Sequence, residues 1–208
     1  DILFVKTDYL RGGLLDLIKA CNHLKGFSFT LHIVGSKALD RLDWSQIQVN
    51  ENISLILHGT IDQIHLISLM HRCNVFCTPS RTEALGVANI EALALGMPVV
   101  STHVGGIVEV LDYGKGGRLV PPEDPQNLSL AIKETLLDKH GTRAKVKHGK
   151  MMARRFDVAS LYSAINNCQI LNEGASSDNT EAFKTTDIKI EKSPNDILRA
   201  ITTITSNA

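Results

Sequence analysis

The chain has 208 residues, enough for one generous domain or two small ones, and its 43% apolar content is that of a folded protein rather than a disordered one. Lysine plus arginine equals aspartate plus glutamate, 22 against 22, so net charge points to neither nucleic acid nor an anionic membrane. No apolar run is long enough to span a bilayer. Asp1 leads straight into Ile-Leu-Phe-Val without the basic start or cleavage site of a signal peptide. That start implies a chain that begins partway through a larger protein, and the expected location is cytoplasmic, at most peripheral at the inner face of a membrane. Cys21, Cys73, Cys77 and Cys168 show no zinc or redox spacing, although Cys73 and Cys77 would share one face of a strand. They are expected to be buried free thiols. The eight histidines show no ligand spacing, and no structural metal is expected.

In chain order, Ile2 to Val5 reads as a short buried strand. Arg11-Gly12-Gly13 opens a helix, LLDLIKACNHL, which Lys25-Gly26 stops. Strands follow at Phe27 to Val34 and Asn52 to Leu57, the latter closed by His58-Gly59-Thr60, with an ambiguous segment from Leu39 to Gln48 between them. Asp62 to Arg72 is helical and Asn74 to Thr78 is the fourth strand. A helix of almost wholly apolar residues, roughly Val87 to Leu95, has only Asn89 and Glu91 as polar members, and is expected to be buried on all sides. Gly96 suits a left-handed cap with Pro98 beyond it. Pro98 to Ser101 and Gly117 to Val120 are further strands, separated by a short helix, IVEVLDYG, after Gly105-Gly106. Pro125 to Asp138 is a helix with proline in its first turn. Helical residues continue to about Leu171, with a break near Phe156-Asp157. This repeated strand–helix alternation predicts an α/β, Rossmann-like parallel sheet of about six strands with helices on both faces. Residues 1–171 form that unit, and the polar residues 172–208 are expected to be a flexible tail.

Ligands on such sheets bind at the carboxyl ends of the strands. The stretch from Ser80 to Gly86 lies there, between the fourth strand and the apolar helix. A helix start offers unpaired N–H groups and a positive dipole end for a diphosphate, and Gly86 allows close approach to the backbone. Glu83 and Glu91 offer carboxylate oxygens suited to vicinal hydroxyls. A molecule with a sugar at each end of a diphosphate, a nucleotide sugar, fits that arrangement. Ser80-Arg81-Thr82-Glu83 also matches a helix capping box, and Glu91 could instead pair with a backbone N–H or an arginine. Spacing leaves both readings open.

The run from Pro79 to Ile132 resembles the donor-binding half of glycosyltransferase family 4, the retaining GT-B enzymes, and the likeness covers roughly residues 1 to 170. The match falls on Pro79, Ser80, Glu83, Gly86, Glu91, Ala92, Ala94, Gly96, Pro98, Gly105, Gly106, Glu109, Gly117, Leu119 and Pro121. The resemblance implies that Glu83 contacts the transferred sugar and Glu91 the nucleotide ribose. It implies that backbone N–H groups of Ala84, Leu85, Gly86 and Val87 face the sugar and diphosphate, and that Gly59, Thr60 and Ile61 edge the nucleobase. The donor would be a UDP- or GDP-sugar handled without a metal or other cofactor, and no D-x-D metal motif occurs. The family usually places Arg and Lys on the diphosphate where this chain has Thr7 and Gly12; Lys6 and Arg11, one position away in each case, are the expected substitutes. One half of a GT-B fold also implies an amino-terminal domain upstream or in another chain, and an acceptor that is a glycan, a lipid or a small molecule. Nucleic acid is not an expected partner. The alternatives are a non-catalytic nucleotide-sugar-binding module and, further off, a GT-B sugar-nucleotide epimerase. A dinucleotide dehydrogenase is disfavoured because no G-x-G-x-x-G follows the first strand.

Overall fold

A computed structural model of the chain describes residues 1–35, 44 and 47–156. Six strands, β1 (Ile2–Val5), β2 (Phe29–Val34), β3 (Ile53–Gly59), β4 (Val75–Thr78), β5 (Val99–Thr102) and β6 (Arg118–Val120), form one sheet in the order β3-β2-β1-β4-β5-β6. Every neighbouring pair is parallel. The helices are α1 (Leu14–His23), α2 (Gln63–Arg72), α3 (Val87–Leu95), α4 (Ile107–Val110), α5 (Pro125–Leu137) and α6 (Lys139–Ala153). These elements make a compact unit, Asp1–Ala153; a short 3-10 turn, Arg154–Phe156, begins the next. Most of the ambiguous segment around Leu39 to Gln48, Cys168, the helical continuation beyond residue 156 and the tail from residue 172 lie outside the described residues.

The expected α/β class, parallel sheet and six strands are all present, and the packing shows why. Leu14, Leu17, Ile18 and Cys21 of α1 are buried at helical spacing, as are Leu128, Ala131, Ile132 and Thr135 of α5. Both helices cover the sheet face formed by Ile2, Phe4, Leu31, Ile33, Val75, Cys77 and Val100. The alternate residues Leu3, Phe76 and Val99 are equally buried on the opposite face. There α3 packs on β4 and β5, with α2, α4 and α6 beside it. Strands covered on both sides are apolar throughout, which explains their runs. Cys21, Cys73 and Cys77 are buried free thiols, and burial pushes the Cys21 thiol up to about 12. Cys73 caps the end of α2 and does not share the strand with Cys77.

Boundaries moved where backbone geometry decided them. The helix after Gly106 ends at Val110, because Asp112, Tyr113 and Gly114 all have positive φ, which no α-helix accommodates. α3 has a burial pattern different from the all-round one expected: Asn89, Ile90, Ala92 and Leu93 are buried, whereas Ala94 is exposed and Glu91 half-buried. Its end is as expected, with Gly96 left-handed at φ 76°.

The chain runs outward from β1 through β2 to β3, then returns to the other side of β1 with β4. That reversal opens a crevice at the carboxyl ends of β1 and β4. The two loops at its mouth touch directly. Gly13, which caps α1, has φ 74°, and a Cβ there would lie 2.0 Å from the Pro79 carbonyl oxygen. Gly13→Ala is therefore expected to destabilise the fold by about 2–4 kcal/mol. A urea midpoint equal to that of the parent would show that the two loops do not need this contact.

Candidate functional site

Lys6 follows β1 directly and is held by its backbone N–H, which donates to the Val34 carbonyl at 3.0 Å. Its ammonium forms an ion pair with Glu83, which stands in the loop after β4. The side chains are 23% and 18% exposed, so the pair is shielded but reachable. The second Glu83 oxygen accepts from the Ala84 N–H at 3.1 Å. The Glu83 loop rests on the turn before α4. Gly106 N–H donates to the Ala84 carbonyl at 3.0 Å, and a Cβ on Gly105 would sit 1.7 Å from the Glu83 carbonyl oxygen. Gly105-Gly106 thus form a floor that only glycine leaves open to this backbone.

α3 starts immediately after the loop. Gly86 caps it, and no side chain hydrogen-bonds to its first-turn N–H groups. The capping-box alternative therefore does not describe this segment. Ser80 is buried six residues before the cap with its hydroxyl unpaired, and Glu83 binds Lys6. A four-residue pattern was outweighed by tertiary contacts. Thr102 Oγ1 donates to the Ser80 carbonyl at 2.5 Å, Ser101 Oγ to the Thr78 carbonyl at 2.7 Å and Thr78 Oγ1 to Asn89 Oδ1 at 3.2 Å. These bonds fix the end of β4 to β5 and α3.

Glu91 lies one turn further along α3, half-buried and without a hydrogen-bond or ion-pair partner among the described residues. Burial pushes its carboxyl up from an ordinary 4.5 to about 7. Among the described residues, neither a backbone N–H nor an arginine pairs with it.

The remaining expected site residues are placed less centrally. Arg11 is exposed and pairs with Asp8 at 3.5 Å rather than with Glu83. Gly59, Thr60 and Ile61 close β3, the outer strand; the Gly59 carbonyl accepts from Gly35 N–H at 2.8 Å, and Gly35 is packed against the Lys6 backbone. Periodicity gave no sign of Arg81 and Asp16. Arg81 Nε and Nη2 both donate to Asp16 Oδ2, at 3.2 and 3.1 Å, and Nη1 reaches Glu123 at 3.3 Å. Asp16 is 7% exposed and sits in the first turn of α1. The Arg81 N–H donates to the Arg11 carbonyl at 2.8 Å. The available signal was an acid inside an apolar helix. Among the described residues no group of three His, Cys, Asp or Glu side chains converges as a metal site would require.

Comparison with known proteins fits this geometry. The chain is 27% identical over 156 residues to the uncharacterized glycosyltransferase MJ1178 of Methanocaldococcus jannaschii, covering 74% of this chain and 43% of that protein. Its fold matches sucrose-phosphate synthase of Thermosynechococcus elongatus with TM-score 0.68 and 25% identity, over 84% of this chain and 46% of the other. It matches Anabaena HepE, solved with UDP-glucose, with TM-score 0.68 and 23% identity, over 82% and 48%. The chain thus spans less than half the length of these relatives. The family model for glycosyl transferases group 1 matches residues 1–152, and the chain belongs to that family.

Proposed function

We propose that this chain is the donor-binding half of a retaining glycosyltransferase, acting on a nucleotide sugar such as a UDP- or GDP-sugar without a metal or other cofactor. The observations that support the proposal are the Lys6–Glu83 pair after β1 and β4, the side-chain-free start of α3 that follows it and, one turn along that helix, the unpartnered Glu91. Each part suits one part of such a donor. Uncapped N–H groups and a positive helix end favour a diphosphate. Lys6 adds a cation where charge grows as the bond from the anomeric carbon to the diphosphate oxygen breaks. Glu83 accepts from hydroxyls of the transferred sugar and Glu91 from those of the ribose. Gly59 to Ile61 edge the nucleobase. HepE, a fold neighbour, was solved with UDP-glucose, which supports this class of donor. The acceptor and its subsite belong to the rest of the protein, expected as an amino-terminal domain in the same or another chain. The second reading, a non-catalytic binding module, is favoured by Thr7 and Gly12, which replace the usual cations.

Glu91 gives a test with opposite signs. Its folded value, about 7, exceeds the unfolded 4.5, so its contribution to stability is complete below about 4.5 and is lost as pH rises through 7. Glu91→Gln should therefore raise stability at pH 8 by up to about 3 kcal/mol while weakening binding of UDP or GDP at least tenfold. Unchanged nucleotide binding would remove Glu91 from the ribose site. Because the ribose hydroxyls need the carboxylate form, donor affinity of the parent should fall about tenfold per pH unit below 7. The same titration on Glu91→Gln should be flat.

The two cations are separated by turnover of the whole protein. Lys6→Ala is expected to lower kcat on the order of a hundredfold, and Arg11→Ala by less than about threefold, in keeping with its exposed pair to Asp8. Equal losses would return Arg11 to the diphosphate. If the parent binds the donor and transfers nothing to any acceptor, the binding-module reading replaces the enzyme.

A further inference from the structure

α6 carries a charge pattern that helix stability opposes. Its 15 residues, KHGTRAKVKHGKMMA, contain Lys139, Arg143, Lys145, Lys147 and Lys150 and no acid, in a chain where acids and bases are equal in number. Lys139 and His140 stand in the first turn, against the positive end of the helix dipole. Lys139, Arg143 and Lys147 follow at four-residue steps, so like charges sit side by side on one face. The acids nearest in the fold do not balance these cations: Glu134 and Asp138 pair with Arg118, Asp138 also accepts from the Gly141 N–H at the start of α6, and Asp112 pairs with Lys115 and with His148 of α6. Lys139, Arg143, Lys147 and Lys150 have no acidic partner among the described residues. A local arrangement that works against its own element marks a functional constraint.

The other side of α6 is fixed. Gly149 lies against Gly116 and Leu93, Met152 and Ala153 are buried, and Lys145 Nζ donates to the Gly114 carbonyl at 2.5 Å. Lys139, His140, Arg143, Lys147, Lys150 and Met151 are all exposed. At 100° per residue they fall within an arc of about 120°, along about 18 Å of helix.

We propose that this face of α6 docks on an anionic lipid bilayer. The helix is seated flush on the unit, so it offers a flat cationic strip rather than a rod that could enter a nucleic-acid groove. It carries no Phe, Tyr or Trp for base stacking. Long lysine and arginine stems reach lipid phosphates while their methylenes lie in the interface. Met151, 56% exposed, and Leu137, 59% exposed at the end of α5, supply apolar side chains beside the charges. Whole-chain neutrality conceals the strip, because the balancing acids lie elsewhere.

The test is co-sedimentation of the chain with phosphatidylcholine vesicles containing either none or about 30 mol% phosphatidylglycerol, at about 0.15 M salt. Binding is expected only with the anionic vesicles. Each basic residue near such a surface is worth about fivefold, so Lys139→Gln/Arg143→Gln/Lys147→Gln should weaken binding on the order of a hundredfold. A charge-matched control, Lys19→Gln/Lys25→Gln/Arg72→Gln, alters exposed residues of α1, its following turn and α2, and should change binding by less than about threefold. The α6 variant should hold or raise the parent's thermal midpoint, because it relieves like-charge contacts, and the control should keep it. Equal binding to the two vesicle types, equal losses in the two variants, or α6-dependent binding to duplex nucleic acid with none to vesicles would each overturn the proposal.

Discussion

The backbone of Pro79 lies so close to Gly13 that no side chain fits between them, and the crevice at β1 and β4 is built around that contact. It brings the loop after β1 against the loop after β4, two segments far apart in sequence. Arg81 secures it twice, by its N–H to the Arg11 carbonyl and by its guanidinium to the buried Asp16 carboxylate. Only with the loops in register can Lys6 and Glu83 meet. The Asp16 carboxylate is costly to bury, and two hydrogen bonds from one guanidinium, together with its place in the first turn of α1, offset that cost. Glycine at two floors, Gly13 under Pro79 and Gly105 under Glu83, completes the frame.

Much of this was legible in the chain because parallel strands buried on both faces leave short apolar runs, and amphipathic helices leave a 3.6-residue period. Gly96 marked the end of α3 correctly because a left-handed cap has a strong residue preference. Glu83 and Glu91 stood out as carboxylates beside an apolar helix. What local pattern could not convey was partnership across distance. Ser80 and Glu83 have the spacing of a capping box, yet Glu83 is claimed by Lys6, 77 residues away, and Ser80 caps nothing. Arg81 and Asp16 are separated by 65 residues and carry no shared periodicity. The apolar composition of α3 suggested burial on all sides, but one side of the helix stays partly open and Glu91 stands on it.

The structure is also a study in where charge is left uncompensated. Arg118 is matched with Glu134 and Asp138, and Asp112 with Lys115 and His148. Among the described residues, two sets of unmatched groups stand out. Glu91 lacks a partner on α3, and the strip along α6 contains no acid. Both sets are held at a cost to local stability, and both are partly or fully open to solvent.

The Lys6–Glu83 pair has a consequence for selectivity. In the unliganded crevice the two charges neutralise each other, so the site presents little attraction to a simple anion. Inorganic phosphate could draw Lys6 away only by leaving Glu83 as a half-buried carboxylate with nothing to accept from but one backbone N–H. A ligand that brings an anion and hydroxyl donors together satisfies both halves at once. For the proposed donor, the ion pair would act as a lock that opens to two matched groups and resists either one alone, which would guard the crevice against simple phosphate.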